Sequence, residues 1–189
     1  THYEFAPRVA NGEITLLAFG RDDANDTYGH GTAVTGIVGA MTNNSVGIAG
    51  AGWNTPVFAM NAFNGPGHVY NSIIYAADHG AKVISMSFAA LLPSSELGAL
   101  EYAFDRGVTL VAAAGNRNSS SPAYPASYDI VLAVTDIDVY NGNRCGELNG
   151  NGYAFGEWVD VSGPCAAMTT FPSIAGGGYS TAGGTSIST

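Results

Sequence analysis

Positive charge is scarce in this chain. Six Lys and Arg stand against fifteen Asp and Glu in 189 residues, a formal net charge of −9. Phosphate-rich partners bind through cationic side chains, so this balance argues against nucleic acid and against an anionic membrane surface. Charge of either sign is sparse: 11% of residues, where an average soluble chain has about a quarter. No apolar run approaches the roughly 20 residues that span a bilayer. Cysteine is limited to Cys145 and Cys165. With no second cysteine pair and no HxxxH array beside them, a zinc site is not expected. The residues themselves leave two readings of the pair: buried free thiols, or a disulfide closing a Gly/Asn-rich loop. No signal-peptide pattern is present, and the first residue is Thr1 rather than Met, so an upstream segment is expected.

What is present suits a folded core. Apolar residues make up 46% of the chain, far from a disordered composition, and 26 glycines supply tight turns and backbone-lined grooves. The length fits one α/β domain. Gly29–Met41 reads as the entry and body of a helix with small residues on one face. Thr55–Ala62 reads as a strand and Tyr70–His79 as an amphipathic helix stopped by Gly80. Lys82–Ser87 reads as a buried strand. A helix capped by Ser94 or Ser95 then runs to Arg106. Val108–Ala113 and Asp129–Val134 read as further buried strands and Trp158–Ser162 as a last short one. Asn141–Gly156 and Ala175–Gly184 read as Gly-rich surface loops. Alternating strands and helices imply a mostly parallel sheet, with chemistry gathered beyond the carboxyl ends of its strands.

Ser87–Ala90, Ala114–Asn116 and the turn before Ser186 fall at such places, and three segments matter together. Gly29-His30-Gly31-Thr32 puts an imidazole at the start of a helix. Ala112-Ala113-Ala114-Gly115-Asn116 ends an apolar strand on a side-chain amide. Gly183-Gly184-Thr185-Ser186 puts a hydroxyl in a Gly-rich turn. Each alone is weak, because a lone His is more often structural, and Asn and Ser are ordinary turn residues. Together, in the order His, Asn, Ser with strands between, they form a catalytic pattern.

HGTAVTGIVGA, NNSVGIAG, GAKVISMSF, GVTLVAAAGN, YPASYDIVLAV and GGTSIS resemble the subtilisin-like serine peptidases over nearly the whole chain. The resemblance implies a three-layer α/β/α fold with a mostly parallel central sheet. Residues 1–189 would be one partial peptidase domain, truncated at both ends. It implies a secreted serine endopeptidase that binds polypeptide in extended form as a monomer, and export in turn favours the Cys145–Cys165 disulfide. Ser186 would be the nucleophile, His30 its general base, and Asn116 a donor to the oxyanion, joined by the Ser186 N–H. Ser87, Phe88, Ala89 and Ala90, with Ala113, Ala114 and Gly115, would line the pocket for the residue before the cleaved bond. Asn64, Gly65, Pro66 and Gly67 would pair with substrate as a strand. A structural calcium would take the carbonyls of Thr42, Val46 and Ile48, the Asn44 side chain and the Glu4 carboxylate.

The sequence departs from the pattern in three places. The triad aspartate is expected just before Thr1, because His2-Tyr3-Glu4-Phe5 matches the segment that follows it. Asp22, Asp23 or Asp26 would be the substitute within the chain, but GRDDANDTYG reads more simply as a surface turn. The helix that Ser186 opens is expected to continue past Thr189. Ala89 and Ala90 stand where glycines are usual, which points to small or medium apolar residues in the pocket. The rival reading is an inactive binding module on the same fold. A G-x-S-x-G elbow fails because Ser188 replaces the second glycine. The glycines at 47, 50 and 52 lack dinucleotide spacing.

Overall fold

Glycine ends two of the helices in the same way. In α3 (His68–Asp78) the chain turns at Gly80, φ +84°, and the Ala81 N–H reaches back to the Ala76 carbonyl at 3.0 Å. In α4 (Leu97–Phe104) it turns at Gly107, φ +76°, and the Val108 N–H reaches the Ala103 carbonyl at 3.2 Å. Both closures satisfy carbonyls the helix end leaves open, and both need the left-handed backbone that glycine adopts without strain. Each then feeds a strand within a few residues, as the sequence implied.

The computed structural model describes residues 2–19, 25–53, 55–63, 65, 67–91, 95–145, 152–172 and 178–189. The chain forms two compact units. Val69–Ala166 with Gly183–Thr189 holds a four-stranded parallel sheet in the order β3 (Val83–Met86), β4 (Thr109–Ala113), β5 (Leu132–Ile137), β6 (Val161–Pro164). Ile73 of α3 and Leu100 of α4 pack with Met86, Leu110, Ala112 and Ala133 in one buried cluster. Alanines on β4 allow the helices to approach the sheet, and the leucines fill the space between.

The other unit, Thr1–His68 with Ala167–Ala182, contains α1 (Ala6–Ala10), α2 (His30–Gly39) and a parallel pair of β1 (Ile14–Ala18) with β2 (Val57–Asn61). Strand β7 (Ala166–Phe171) pairs with β8 (Gly178–Gly183). Arg8 is fully buried here, but its charge is matched. Nε donates to Glu13 at 2.8 Å, and the terminal nitrogens donate to the carbonyls of Gly39 and Thr55 at 2.9 and 2.8 Å. A buried guanidinium is tolerated only when its donors are used in this way.

Several elements differ from the sequence expectation. The strand expected at Asp129–Val134 lies at Leu132–Ile137, because Ile130 is spent in a turn closed by the Val131 N–H on Tyr128. The strand expected at Trp158–Ser162 starts at Val161: Gly156–Val159 closes a turn first. It is not the last, since Gly178–Gly183 is a strand rather than loop; its glycines mask an extended segment. Ser95 does not cap α4. Glu96 holds that position without a side-chain cap, and Ser94 lies outside the described residues. Residues 146–151 of the expected Asn141–Gly156 loop also lie outside them.

Candidate functional site

Strand β4 delivers Asn116 through a kink at Gly115, φ +104°. Its neighbour β3 delivers Ser87–Ala90 on the same edge, the carboxyl ends of parallel strands. The one-turn helix α5 (Thr185–Ser188) follows Gly184, φ +110°, and presents Ser186. A methyl on Gly184 would lie 3.1 Å from Asn116 Nδ2, so glycine makes room for the amide as well as for the turn.

The hydrogen bonds fix how Asn116 is used. Its Oδ1 accepts from the Thr185 N–H at 3.0 Å and from the Thr185 hydroxyl at 2.9 Å. A backbone N–H can only donate, so the amide orientation is determined, and Nδ2 is left without a partner among the described residues. The same threonine oxygen accepts from the Gly115 N–H at 3.1 Å. Thr185, 1% exposed, thus joins the Asn116 strand end to the Ser186 turn. Ser186 is held a second time. Its Oγ donates to the Ser87 carbonyl and the Ser87 hydroxyl donates to the Ser186 carbonyl, each at 2.9 Å.

Ser186 and Asn116 line one cleft of about 240 Å³ together with Phe88, Ala89, Ala90, Ala113, Ala114 and Gly115. Ala90 and Tyr124 exchange backbone hydrogen bonds at 2.8 Å, which ties down one wall. Ser87 is buried behind the cleft and holds Ser186. The sequence analysis missed Thr185 as a brace, although it stands inside the quoted GGTS run. It also missed Arg117, Ser119, Ser121 and Ala123 as lining. Gly65 and Gly67 lie in the approach to α3, and Asn64 and Pro66 are outside the described residues.

His30 begins α2 in the other unit and is exposed. Among the described residues its ring has no hydrogen-bond partner. The helix itself is well anchored. Asp26 Oδ2 accepts from the Thr32 N–H at 2.7 Å, and Oδ1 accepts from the Gly29 and Tyr28 N–H groups at 2.8 and 3.1 Å. Burial raises the Asp26 pKa, but these N–H groups and the Thr32 side chain outweigh it and hold the carboxyl below 3.8. Asp26 therefore caps the helix. Asp22 and Asp23 lie outside the described residues. Thr169 and Thr170 donate to the carbonyls of Ala33 and Thr32 at 2.6 and 2.8 Å.

The residues expected to hold calcium lie in one unit. Glu4 is buried; one carboxyl oxygen accepts from the Tyr179 hydroxyl and the other has no partner among the described residues. Burial, and then the bond to Glu4, push the Tyr179 hydroxyl pKa up. A methyl at Gly47, φ +62°, would collide with this carboxylate, so Glu4 lies against the Asn43–Ala49 loop. The Thr42 hydroxyl is also buried and unpartnered. Asn44 Oδ1 accepts from the Val46 N–H at 3.1 Å and keeps a second lone pair. An unpaired buried carboxylate oxygen beside a loop of carbonyls fits a hard cation. No group of three or more His, Cys, Asp and Glu is found among the described residues, so backbone oxygens would complete such a shell.

Cys145 and Cys165 form a disulfide, Cα–Cα 6.1 Å, and the Cys165 carbonyl accepts from the Gly184 N–H at 3.0 Å. Among the described residues, no helix is long and apolar enough to cross a membrane.

Comparison with known proteins gives the family. The Subtilase family model matches residues 11–189. A thermophilic serine proteinase of Bacillus sp. (strain AK1) is 40% identical over 171 residues, covering 87% of this chain and 41% of that protein. Thermitase of Thermoactinomyces vulgaris is 39% identical over 168 residues, covering 85% and 57%. The chain therefore spans about half the length of these relatives. A psychrophilic subtilisin-like protease from Pseudoalteromonas sp. AS-11 superposes with TM-score 0.72 at 26% identity, over 90% of this chain and 41% of that one. The protease domain of PatA superposes with TM-score 0.81 at 22% identity, over 100% and 72%, which is a likeness of fold. The chain belongs to the subtilase family.

Proposed function

We propose that the protein containing this chain is a serine endopeptidase acting through Ser186. One observation carries the reading: a serine hydroxyl and an amide Nδ2, the latter oriented by Thr185, line a single cleft. Ser186 Oγ forms the bond to the scissile carbonyl carbon. His30 takes the Oγ proton and returns it to the leaving amine as the C–N bond breaks. The carbonyl oxygen gains charge as Oγ adds, and the Asn116 Nδ2 and Ser186 N–H donate to it until the amine leaves. Water then releases the acyl group, with His30 again taking and returning the proton. The substrate is polypeptide in extended form, and membership of the family supports secretion.

Calcium is part of the same reading. When bound at Glu4, Asn44 and the carbonyls of Thr42, Val46 and Ile48, it supplies a charge cross-link between α1's entry and the loop. Chelator should lower the melting temperature of the full-length protein, and Asn44→Ala should shrink that response. A melting temperature indifferent to chelator would remove calcium from the account.

The test of the activity is turnover of a peptide substrate by the full-length protein. Ser186→Ala should abolish it. Asn116→Ala should lower kcat by about a hundredfold with KM little changed, because its contact strengthens in the transition state. Full turnover by Ser186→Ala would overturn the reading.

A further inference from the structure

The cleft beside Ser186 is lined mostly by uncharged groups, the Phe88 ring and the Leu91 side chain among them. Ala89, Ala90, Ala123 and Ala154 supply methyl groups, and Ser119 and Ser121 supply hydroxyls. Arg117 is the one charged residue among the described lining. It directly follows Asn116 and is exposed. Among the described residues it has neither an ion pair nor a hydrogen bond, which sets it apart from the other described arginines. Arg8 is buried on Glu13, Arg106 lies over the Tyr102 ring at 3.3 Å, and Arg144 lies over Phe155 at 4.0 Å. Arg21 is outside the described residues. No carboxylate is among the described lining to neutralise Arg117.

We propose that Arg117 gives this cleft a preference for an acidic side chain in the substrate residue just before the cleaved bond. The inference rests on the reading of the cleft as a peptidase pocket, and it replaces the small or medium apolar preference expected from Ala89 and Ala90. Methyl walls limit size but cannot tell a glutamate from a neutral side chain of equal length. A guanidinium with free donors can, since it meets a carboxylate with two parallel N–H···O bonds. The opposing effect is the net charge of −9, which repels an anionic substrate. At 0.15 M salt the screening length is about 8 Å, so dispersed surface carboxylates are damped more than a cation that meets the carboxylate at hydrogen-bond distance.

The experiment compares kcat/KM of the full-length protein on two peptides identical except for Glu or Gln before the cleaved bond. Arg117→Gln and Arg117→Glu are measured beside it. The unmodified protein should favour Glu over Gln by about five- to tenfold, less at 1 M salt. Arg117→Gln should bring the ratio near one, and Arg117→Glu should invert it. A serine-directed phosphonate label at Ser186 reports that each variant is folded and competent. Turnover with a Glu/Gln ratio unaffected by Arg117→Gln would overturn the inference alone. No turnover of either peptide and no label in the unmodified protein would overturn the peptidase reading, and the inference with it.

Discussion

The turn that carries Ser186 and the helix start that carries His30 are held by opposite means. At the Ser186 turn the functional groups themselves are braced: Asn116 by Thr185, and Ser186 by Ser87. At His30 the helix is braced, by Asp26 in front and Thr169 and Thr170 alongside, while the ring has no described partner. On the proposed reading, the groups that would bind developing charge are thus set in advance, which is where electrostatic catalysis gains most. On the same reading, the imidazole that would take and return a proton is placed only through its backbone.

The sharpest way to break this contrast is Thr185→Val, which removes both the acceptor for Gly115 and the hydroxyl donor to Asn116. If bracing sets the amide, kcat in the full-length protein falls about ten- to a hundredfold at nearly constant KM, and Thr185→Ser restores most of it. Equal loss in KM, or no rescue by serine, would make Thr185 a packing residue. The disulfide supports the same turn through Cys165 and Gly184. Replacing both cysteines by serine should cost about 3 kcal/mol of stability for a loop of this size, read from denaturant melts. A change below about 1 kcal/mol would show that the sheet alone holds the turn.

Two carboxylates sharpen the comparison through pH. Asp136 on β5 is 0% exposed, and among the described residues its oxygens have no hydrogen bond of ordinary geometry. Burial raises its pKa to about 6, with the Cys145 N–H and Arg144 offsetting only part. The folded state then holds a proton that the unfolded chain loses near 3.8, so stability falls as pH rises from about 4 to 6 and stays lower above. Asp136→Asn should stabilise by on the order of 2 kcal/mol at pH 8 and have little effect at pH 4. Asp26 has the opposite sign. Its contribution is present above 3.8 and fades as pH falls below that value. Asp26→Ala should cost about 1 kcal/mol at pH 7, the worth of a helix cap, and less at pH 3. Equal costs at both pH values would mean the carboxylate charge is not what holds α2.

Much of this was legible because the motifs are contiguous. The HGT, AAAGN and GGTS runs each sit whole at an element's end, and α3 and α4 stop at glycines as their patterns require. The braces were not legible. Thr185 acts on a residue 69 positions away and Ser87 on one 99 away, and no local pattern encodes such distances. Asp26 looked like part of a charged surface turn because its work is done on backbone N–H groups. Strand β5 was misplaced by three residues because Ile130 and Val131 are as apolar as the strand that follows. The cysteine pairing needed the fold, since spacing alone leaves a thiol pair and a disulfide equally open.

The central claim, that the set hydroxyl of Ser186 is the nucleophile, is tested most directly by covalent labelling. The full-length protein is treated with a serine-directed organophosphonate and the adduct is located by peptide mass spectrometry. The account predicts one adduct, on Ser186, lost in His30→Ala. An adduct on a different serine, or none in a protein shown to be folded, would contradict it.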